Sequence, residues 1–463
     1  MVRKPDARSV AYDALLDVER GSFADRAIGE RLERIELDRR ERDFATHLVY
    51  GCVARRLTLD YTIAGYAGRP LNKIDPELLV LLRLGLFQLG YCDRVPAYAA
   101  VDRTVSMAEG VHRKAAGFLN AVLRRTTRDG LRAADDIAAL QRGIEQESVA
   151  PNASDTLDLT RDWADLDPDR RRAIAYSHPL WLVRRWTEEL GQPEADNLMR
   201  ANNEAAPNVL RVLMPREEGI SRLREMGVRV READHAPDAV VASMAQRIPG
   251  LALPQGEASQ LVVLLLDPRE GEIVLDACAS PGGKTAYIAA LVGTEGRVMA
   301  VDKARGARRR IEATMIAAGF SKDLPPALPI IEDDLLRMHV DDLGGPFDAV
   351  LVDAPCSGLG TLRQHPEIRW RRDPSDIDDL ASRQTKVLAH SASTLRPGGR
   401  LVYSTCTIVR AENEDIVDAF LASHPDFEAD TDAPRSDEQG RLRTFPHHGG
   451  MDGFFAAALK RRP

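Results

Sequence analysis

Apolar residues recur at three- and four-residue spacing along the first 130 residues, which is the period of amphipathic helices. Glycine, proline and charged residues separate the apolar stretches from one another. The spacing predicts an all-α N-terminal domain over residues 1–130, with helices at 9–19, 42–56, 76–90, 99–107 and 113–125.

The pattern changes after residue 130. Residues 131–170 hold four Arg against ten Asp and Glu and few large apolar residues, a composition typical of a solvated connector. We therefore expect an acidic linker over 131–175. Residues 176–254 then combine a helical pattern at 178–190 with short, strand-like alternating segments, which predicts a small α+β extension.

From residue 255 to residue 463, short apolar segments alternate with helical ones, as in a parallel sheet that is covered on both faces. The strands are predicted at 272–276, 297–302, 327–333, 347–353 and 400–406. Several of them end in Asp or Cys, and ligands of such sheets bind at the carboxyl ends of the strands. We expect a Rossmann-like α/β domain with its functional site at that edge.

Composition narrows the class of protein. The chain of 463 residues has a formal net charge of −8, which argues against a protein that coats nucleic acid through bulk positive charge. It shows no apolar leader, and its apolar runs fall short of the roughly 18–20 residues that a membrane span needs. Five scattered cysteines suggest neither a disulfide framework nor a zinc site. We expect a cytoplasmic protein without a metal or a membrane partner.

The strand predicted at 272–276 runs into the sequence D-A-C-A-S-P-G-G-K-T and then into a helix. Gly282 and Gly283 let the backbone turn tightly and approach a ligand at the free amides of the helix. A P-loop also ends in G-K-T, but its first required glycine would fall at Cys278. A nucleoside cofactor instead needs an acid about 20 residues beyond the glycines, where Asp302 stands. The spacing favours the nucleoside cofactor, and a nucleotide hydrolase is the alternative.

Two further strand ends carry cysteine. Cys356 follows the strand at 347–353 in the sequence D-A-P-C-S, and Cys406 ends the strand at 400–406 in the sequence T-C-T. A lone cysteine at a strand end is usually a small buried apolar residue. Two of them beside a cofactor loop indicate reactive thiols, because adjoining helix N-termini favour the thiolate.

Methyl transfer to carbon 5 of a pyrimidine is a reaction that would use both a nucleoside cofactor and two thiols. Carbon 5 is too weakly nucleophilic to take a methyl group until a thiolate has added to carbon 6. The carbon-5 proton must then leave, which requires a second group acting as a base. A carboxyl near ring nitrogen 3 would stabilise the adduct, and we predict that role for Asp353.

These motifs resemble those of the bacterial 16S rRNA cytosine-5 methyltransferases of the RsmB (Sun/Fmu) family. The likeness covers nearly the whole chain and is carried by the motifs at 278–285, 353–357 and 405–407, together with 365–370 and 452–455. One mild departure is Ser280, where the family has alanine. Residues 1–130 resemble the NusB-type RNA-binding domain that precedes the catalytic domain in this family.

The resemblance implies a role for each motif. Cys406 would be the nucleophile, Cys356 would assist release of the product, and Asp353 and Lys284 would complete the catalytic group. Asp302 would bind the ribose of S-adenosylmethionine, Asp334 (or the adjacent Asp333) would lie near the adenine, and Asp353 near the methionine end. The loop contacts to this cofactor would be Cys278, Ala279, Ser280, Pro281, Gly282, Gly283 and Lys284.

The expected partner is 16S ribosomal RNA of the small subunit or its precursor, bound by a monomer. The base would be flipped out or unpaired to reach Cys406. Transfer RNA is the alternative substrate, and an idle RNA-binding antitermination factor is the alternative of another class. Local clusters of cations and aromatic rings predict the contacts, since such side chains bind phosphates and unstacked bases. The cluster of this kind contains Arg369, Trp370 and Arg371, next to His365 of the motif at 365–370, and the resemblance adds Arg211, Gln255 and Ser259 at the surface where the family faces RNA.

Overall fold

The chain passes back and forth between two structural units. Unit 1 consists of Met1–Ala205 and Leu362–Arg372, and unit 2 of Ala206–Thr361 and Asp373–Pro463. The computed structural model describes residues 5–111, 113–141, 157–320 and 328–463. A short segment from the middle of the α/β region is therefore counted with the N-terminal unit.

Unit 1 is helical throughout its described residues. Its helices are α1 (Ala7–Glu19), α2 (Ala24–Arg34), α3 (Arg39–Ala54), α4 (Arg56–Ala67), α5 (Pro76–Tyr91), α6 (Ala97–Val111), α7 (Ala116–Asp129), α8 (Ala134–Gln141), α9 (Pro168–Tyr176), α10 (Leu180–Leu190), α11 (Gln192–Ala201) and α17 (Ile368–Arg371). Short 3₁₀ turns lie at Leu71–Lys73, Arg113–Ala115 and Trp163–Asp165.

Local sequence explains why the first helices start where they do. Asp6 caps α1 by accepting the backbone N–H of Ser9, whose hydroxyl accepts the N–H of Asp6 in return. Asp75 caps α5, with Pro76 in the first turn. The apolar residues of the predicted helices, such as Leu81 and Leu123, are fully buried in one core.

The five helices predicted from spacing are all present, and two more were missed. Helix α2 is mostly polar and buries few side chains, among them Ala27 and Ile28, so its apolar pattern is weak. Helix α4 follows α3 after a single residue, Arg55, so the two have no glycine or proline to separate them.

The described parts of the predicted acidic linker include α8 and most of α9 and are attached to unit 1 by buried apolar side chains, although most of their acidic residues are exposed. Residues 142–156 lie outside the described residues. On either side, Ile137 of α8 and Leu166 and Ile174 near α9 are buried against Tyr61. A few apolar side chains at helical spacing are thus enough to attach this charged segment to unit 1.

Unit 2 begins with a small antiparallel sheet in the strand order β2-β3-β1-β4. Helix α12 (Arg216–Glu225) supplies Ile220 and Leu223 to the same core as Leu210 and Val240 of the sheet. The strands are β1 (Val209–Val212), β2 (Val230–Glu232), β3 (Ala239–Ala242) and β4 (Ala252–Pro254).

The main sheet of unit 2 has eight strands in the order β10-β12-β9-β8-β5-β6-β7, with β11 paired to β12. Its strands are β5 (Ile273–Asp276), β6 (Arg297–Val301), β7 (Ile330–Ile331), β8 (Phe347–Asp353), β9 (Leu395–Thr405), β10 (Phe427–Ala429), β11 (Arg441–Thr444) and β12 (Phe454–Arg461). The helices beside it are α13 (Glu257–Leu266), α14 (Gly283–Val292), α15 (Ala307–Ala317), α16 (Val340–Leu343), α18 (Pro374–Ser393) and α19 (Glu414–Ser423), and 3₁₀ turns lie at Leu335–Arg337 and Arg410–Glu412.

Strands β5 to β9 are parallel, as their apolar sequences predict. Strand β12 pairs antiparallel with β9, and β10 pairs antiparallel with β12. The C-terminal antiparallel strands were not predicted. The chain leaves β5 toward β6 and later returns to β8 on the other side, so β5 and β8 flank a switch point where ligands bind. The candidate cofactor loop and the two cysteine motifs follow β5, β8 and β9.

In the part of the chain that the structure describes, no helix has both the length and the apolar character that crossing a membrane requires.

Candidate active site

The loop after β5 makes its tight turn at Gly282. This residue has φ +101°, and a Cβ there would lie 3.1 Å from the Cα of Ile311. An L side chain is therefore disfavoured by the backbone conformation and by the neighbouring helix. The turn delivers Gly283 as the first residue of α14, so the free amides of the helix face the loop.

Asp276 lies beneath this loop and is fully buried. Its Oδ2 accepts the hydroxyl of Thr285 at 2.7 Å, while its Oδ1 has no donor among the described residues. Burial is the main cause that raises the pKa of Asp276 to about 7, and the Thr285 hydrogen bond opposes it. The buried Oδ1 of Asp276 is therefore suited to accept a hydrogen bond from a donor group of a bound ligand.

The pocket at this loop has a volume of about 130 Å³, which is room for one end of a nucleoside cofactor and not for all of it. Its walls include Asp276, Cys278, Lys284 and Asp353. Burial, followed by nearby carboxylates, raises the pKa of the Cys278 thiol well above its usual range, so this cysteine is a wall of the pocket and not a nucleophile.

Lys284 and Asp353 form an ion pair across the pocket. The Nζ of Lys284 lies 2.7 Å from Oδ2 of Asp353, whose Oδ1 accepts the hydroxyl of Ser404 at 2.8 Å. Burial lowers the pKa of Lys284, but the charge of Asp353 outweighs it and the net shift is upward. The lysine is therefore a cation that fixes Asp353, rather than a free phosphate ligand of the P-loop kind.

The sulfurs of Cys356 and Cys406 lie 3.3 Å apart, although 50 positions separate them in the chain. Both residues are partly exposed. The hydrogen bond to Cys406, together with burial and the charges of Cys406 and Glu412, raises the pKa of the Cys356 thiol well above its usual range. The surroundings of Cys356 thus favour its protonated form.

Two glycines hold the cysteine loops together. The N–H of Gly360 donates to the carbonyl of Cys406 at 3.0 Å, and the N–H of Gly453 donates to the carbonyl of Gly360 at 2.8 Å. A Cβ on Gly360 would lie 1.8 Å from the oxygen of Gly453, which no side chain could tolerate. The D-G-F-F motif at 452–455 therefore supplies a close backbone contact behind the thiols.

The two other predicted cofactor acids lie at the ends of β6 and β7. Asp302 accepts the backbone N–H of Ser280 at 2.9 Å with one oxygen and that of Ala304 at 2.7 Å with the other. Asp334 caps the 3₁₀ turn at Leu335–Arg337, and its Oδ2 lies 3.7 Å from a guanidinium nitrogen of Arg383. Asp302 thus touches the cofactor loop directly, whereas Asp334 belongs to a neighbouring turn.

Three predicted RNA contacts lie beside the cofactor loop. Gln255 and Ser259 line the same pocket as Lys284. Arg211 is buried, donates to Oε1 of Gln255 at 2.7 Å and stacks its guanidinium 4.4 Å from the ring centroid of Tyr287. Its burial argues against the direct RNA contact that we predicted for Arg211.

The other predicted RNA contacts belong to unit 1. Arg369 is fully buried and donates to the carbonyls of Ser177 and Asn202, each at 3.0 Å, and to Oδ1 of Asn203 at 2.8 Å. Burial lowers the pKa of Arg369 to about 9, and its enclosure argues against an RNA contact.

The neighbours of Arg369 also have partners within unit 1. The indole of Trp370 donates to the carbonyl of Val53 at 2.9 Å, Arg371 donates to the carbonyls of Val18 and Ser22, and the ring of His365 packs edge-on against Phe23. A segment of clustered charge thus serves mainly to join helices.

Two residues of the site were not among the predicted ones. Asp276 is visible in the sequence only as the end of an apolar strand, and nothing local shows that its second oxygen lacks a donor. Glu412 is fully buried and accepts the backbone N–H of Ser357 at 2.8 Å, next to Cys356. No local signal marks it, because an acid before a helix is normally an exposed cap.

Comparisons with known proteins match the whole length of the chain. The family described as "16S rRNA methyltransferase RsmB/F" matches residues 263–460, the NusB family matches 5–128, and the ferredoxin-like domain of RsmF/B-like methyltransferases matches 178–248. These matches confirm the predicted order of a NusB-like helical domain, a small α+β segment and a Rossmann-like methyltransferase domain.

Individual relatives agree with the family matches. The Bacillus subtilis protein named "Probable ribosomal RNA small subunit methyltransferase B" is 32% identical, with 100% of each chain covered. The crystal structure of PH0851 has the same fold at a TM-score of 0.78 and 23% identity, covering 100% of both chains. Pyrococcus horikoshii NSun6, solved with SFG, shares the fold at a TM-score of 0.53 and 21% identity, covering 61% of this chain and 98% of its own.

Proposed function

The chain belongs to the RsmB/F family of S-adenosylmethionine-dependent rRNA methyltransferases, and on this premise we propose that it methylates carbon 5 of a cytosine in 16S ribosomal RNA. The observation that carries the proposal is the pair of cysteine sulfurs, 3.3 Å apart, at the strand ends beside the cofactor loop. Methyl transfer to an oxygen or a nitrogen would need one base and no pair of thiols.

S-adenosylmethionine supplies the methyl group when it is bound. The residues of the pocket fit it, because Asp276 offers a buried acceptor without a donor to the amino group of the methionine end. Asp302 retains lone pairs for the ribose hydroxyls, and the amides at the start of α14 lie beside the same loop. Asp334 is proposed for the adenine end.

Cys406 acts as the nucleophile in this proposal. Its thiolate adds to carbon 6 of the cytosine, and the ring electrons move toward nitrogen 3 and make carbon 5 nucleophilic. Asp353, held in place by Lys284 and Ser404, is the group proposed to pass a proton from the Lys284 ammonium to nitrogen 3 as the adduct forms and to return it when the adduct breaks down. Carbon 5 then takes the methyl group.

Cys356 completes the reaction as the base. Once the Cys406 sulfur is bonded to carbon 6, it carries no charge, so two of the causes that raise the pKa of Cys356 disappear. Cys356 then loses its proton to water, and its thiolate takes the proton from carbon 5. The bond between carbon 6 and sulfur breaks, and Cys406 leaves as a thiolate. One proton is released for each methyl group transferred, as the overall reaction requires.

The test is transfer of tritium from labelled S-adenosylmethionine to unmethylated 16S rRNA, followed by nucleoside analysis. We expect 5-methylcytosine from the wild type and no product from Cys406→Ala. We expect Cys356→Ala to accumulate a covalent protein–RNA adduct that survives denaturing electrophoresis. Cys92→Ala, which removes a partly buried thiol of unit 1, is the matched control and should behave as the wild type.

Three outcomes would contradict different parts of the proposal. An active Cys406→Ala enzyme would exclude Cys406 as the nucleophile. A labelled nucleoside other than 5-methylcytosine would exclude the carbon-5 chemistry. Faster labelling of transfer RNA than of 16S rRNA would leave the chemistry in place and change the substrate.

A further inference from the structure

Glu412 is a buried acid to which the proposed reaction assigns no step. It ends the 3₁₀ turn Arg410–Glu412 that follows Cys406. Its Oε1 accepts both the N–H of Ser357 at 2.8 Å and the side-chain amide of Gln384 at 2.9 Å, whereas its Oε2 has no donor among the residues that the structure describes. Burying a carboxylate with an unpaired oxygen is unfavourable, which points to a role for its charge.

Glu412 and its partner Gln384 bond to the backbone on both sides of Cys356. Ser357 follows that cysteine and donates to Glu412 directly. Pro355 precedes it, and its carbonyl accepts the Gln384 amide at 3.0 Å, which also bonds to Glu412. Glu412 and Gln384 together therefore fix the peptide that carries the Cys356 thiol.

The next residue does the same for the other cysteine. The side-chain oxygen of Asn413 accepts the hydroxyl of Thr405 at 2.5 Å, and its amide donates to the carbonyl of Thr407 at 3.0 Å. These threonines stand directly before and after Cys406. The hydroxyl of Ser357 donates to that of Thr407 at 2.9 Å, so the two loops are also joined to each other.

The charges around the pair are unequal. The titratable groups that act on Cys356 are Cys406, Glu412 and Tyr403. Burial raises the pKa of Tyr403 well above its usual range, so its hydroxyl stays neutral, and it donates to the backbone carbonyl of Glu412 at 2.6 Å. The cation of the site, Lys284, is bonded to Asp353. Glu412 thus brings a negative charge to the loop that carries Cys356, and Lys284 is neutralised by Asp353.

We propose that Glu412 is a positioning residue of the cysteine pair, because its carboxylate bonds to the peptide after Cys356 and, through Gln384, to the peptide before it, and so disfavours a second negative charge on Cys356 and reserves that cysteine for proton transfer. In the covalent adduct the same charge makes the Cys356 thiolate a stronger base for the carbon-5 proton. The inference rests on the proposed function, in which Cys406 attacks and Cys356 accepts the proton.

The first test needs neither RNA nor cofactor. Each variant is alkylated with iodoacetamide between pH 6 and pH 9, and the Cys356 and Cys406 peptides are quantified by mass spectrometry. Glu412→Gln keeps an oxygen acceptor but removes the charge, so we expect the Cys356 to Cys406 ratio at pH 7 to rise about tenfold, because more of Cys356 is then present as the reactive thiolate. Glu412→Asp keeps the charge and should return the ratio toward that of the wild type.

Asp415→Asn is the matched control. It removes one acid from the same segment, but Asp415 is exposed and paired with Arg410, so the ratio should not change. Gln384→Met tests the same idea by a second route and does not depend on the folding of Glu412→Gln. It takes a donor away from the carboxylate, and the lost hydrogen bond disfavours the charged form of Glu412, so the ratio should rise in the same direction as in Glu412→Gln but by less.

The second test follows methylation. Glu412→Gln should lower kcat about tenfold with KM for RNA unchanged, and should accumulate the covalent adduct, because release becomes slow. An unchanged alkylation ratio in both Glu412→Gln and Gln384→Met would overturn the proposal. Altered ratios in an enzyme that makes no 5-methylcytosine would instead uphold the charge argument and refute the proposed function, so the two failures are distinguishable.

Discussion

Replacing Asp276 by asparagine should change how the stability of the protein depends on pH. Asp276 is fully buried, and burial raises its pKa from 3.8 to about 7. An acid whose pKa is higher in the folded than in the unfolded state binds a proton more tightly when folded. Its contribution to stability is therefore complete below pH 4 and is lost as the pH rises to about 7.

The magnitude follows from the two pKa values. A difference of about 3 in pKa, at about 1.4 kcal/mol each, gives a loss of roughly 4 kcal/mol in the free energy of unfolding between pH 4 and pH 8. The asparagine variant loses this dependence. Its amide can still accept the Thr285 hydroxyl, but its N–H group replaces Oδ1 where no acceptor stands among the described residues. That change costs about 1–3 kcal/mol at every pH.

Urea denaturation of the wild type and of Asp276→Asn from pH 4 to pH 8 measures the effect as a difference between two curves. We expect the variant to be the less stable protein at pH 4–5 and the equal or more stable one at pH 8, so that the curves cross. Asp415→Asn, which removes an exposed acid, should run parallel to the wild type. Parallel curves for Asp276→Asn would refute the reasoning, since another group would then carry the pH dependence.

Two further substitutions test the packing of each unit. Gly360→Ala places a Cβ 1.8 Å from the oxygen of Gly453, so it must separate the cysteine loops and abolish methylation. The control is Gly117→Ala, whose Cβ meets nothing within 4 Å and which should leave activity intact. Equal methylation activities of the two variants would contradict this prediction. Arg369→Met removes the donor from two buried carbonyls and from the partly buried Oδ1 of Asn203, and it should lower the free energy of unfolding by about 3 kcal/mol. In a filter-binding assay, a large loss of RNA affinity by the folded variant would show that Arg369 contacts RNA after all.

Much of the fold was readable because its signals are local. Apolar spacing located helices α1, α3, α5, α6 and α7, and apolar runs located the parallel strands β5 to β9. Helix α2 was not predicted because it buries few side chains. Strands β10 to β12 were not predicted because no helix separates them, so the alternation of strand and helix that marks a parallel sheet is absent there. The sequence shows which segments can be buried, but pairing with a distant edge is decided by the assembled sheet.

The chemistry of the site divides in the same way. The sequence determines the local positions of the cofactor-loop glycines and of the two cysteines. Each of them stands in a short segment whose turn or strand end is set by its immediate neighbours. Their meeting at 3.3 Å is a tertiary result, and so is the carboxylate of Glu412 beside Cys356.

Charged residues show most clearly what cannot be predicted from the sequence alone. The run of arginines around Trp370 has the composition of an RNA-binding patch, yet Arg369 is enclosed by oxygens from positions 177, 202 and 203. In the sequence Asp276 is simply an acid at the end of a strand, yet in the structure it is buried and its Oδ1 lacks a hydrogen-bond donor among the described residues. Sequence determines which groups are polar and reactive. Only the tertiary structure decides which of them have partners, because the partners of a buried polar group come from residues far away in the chain.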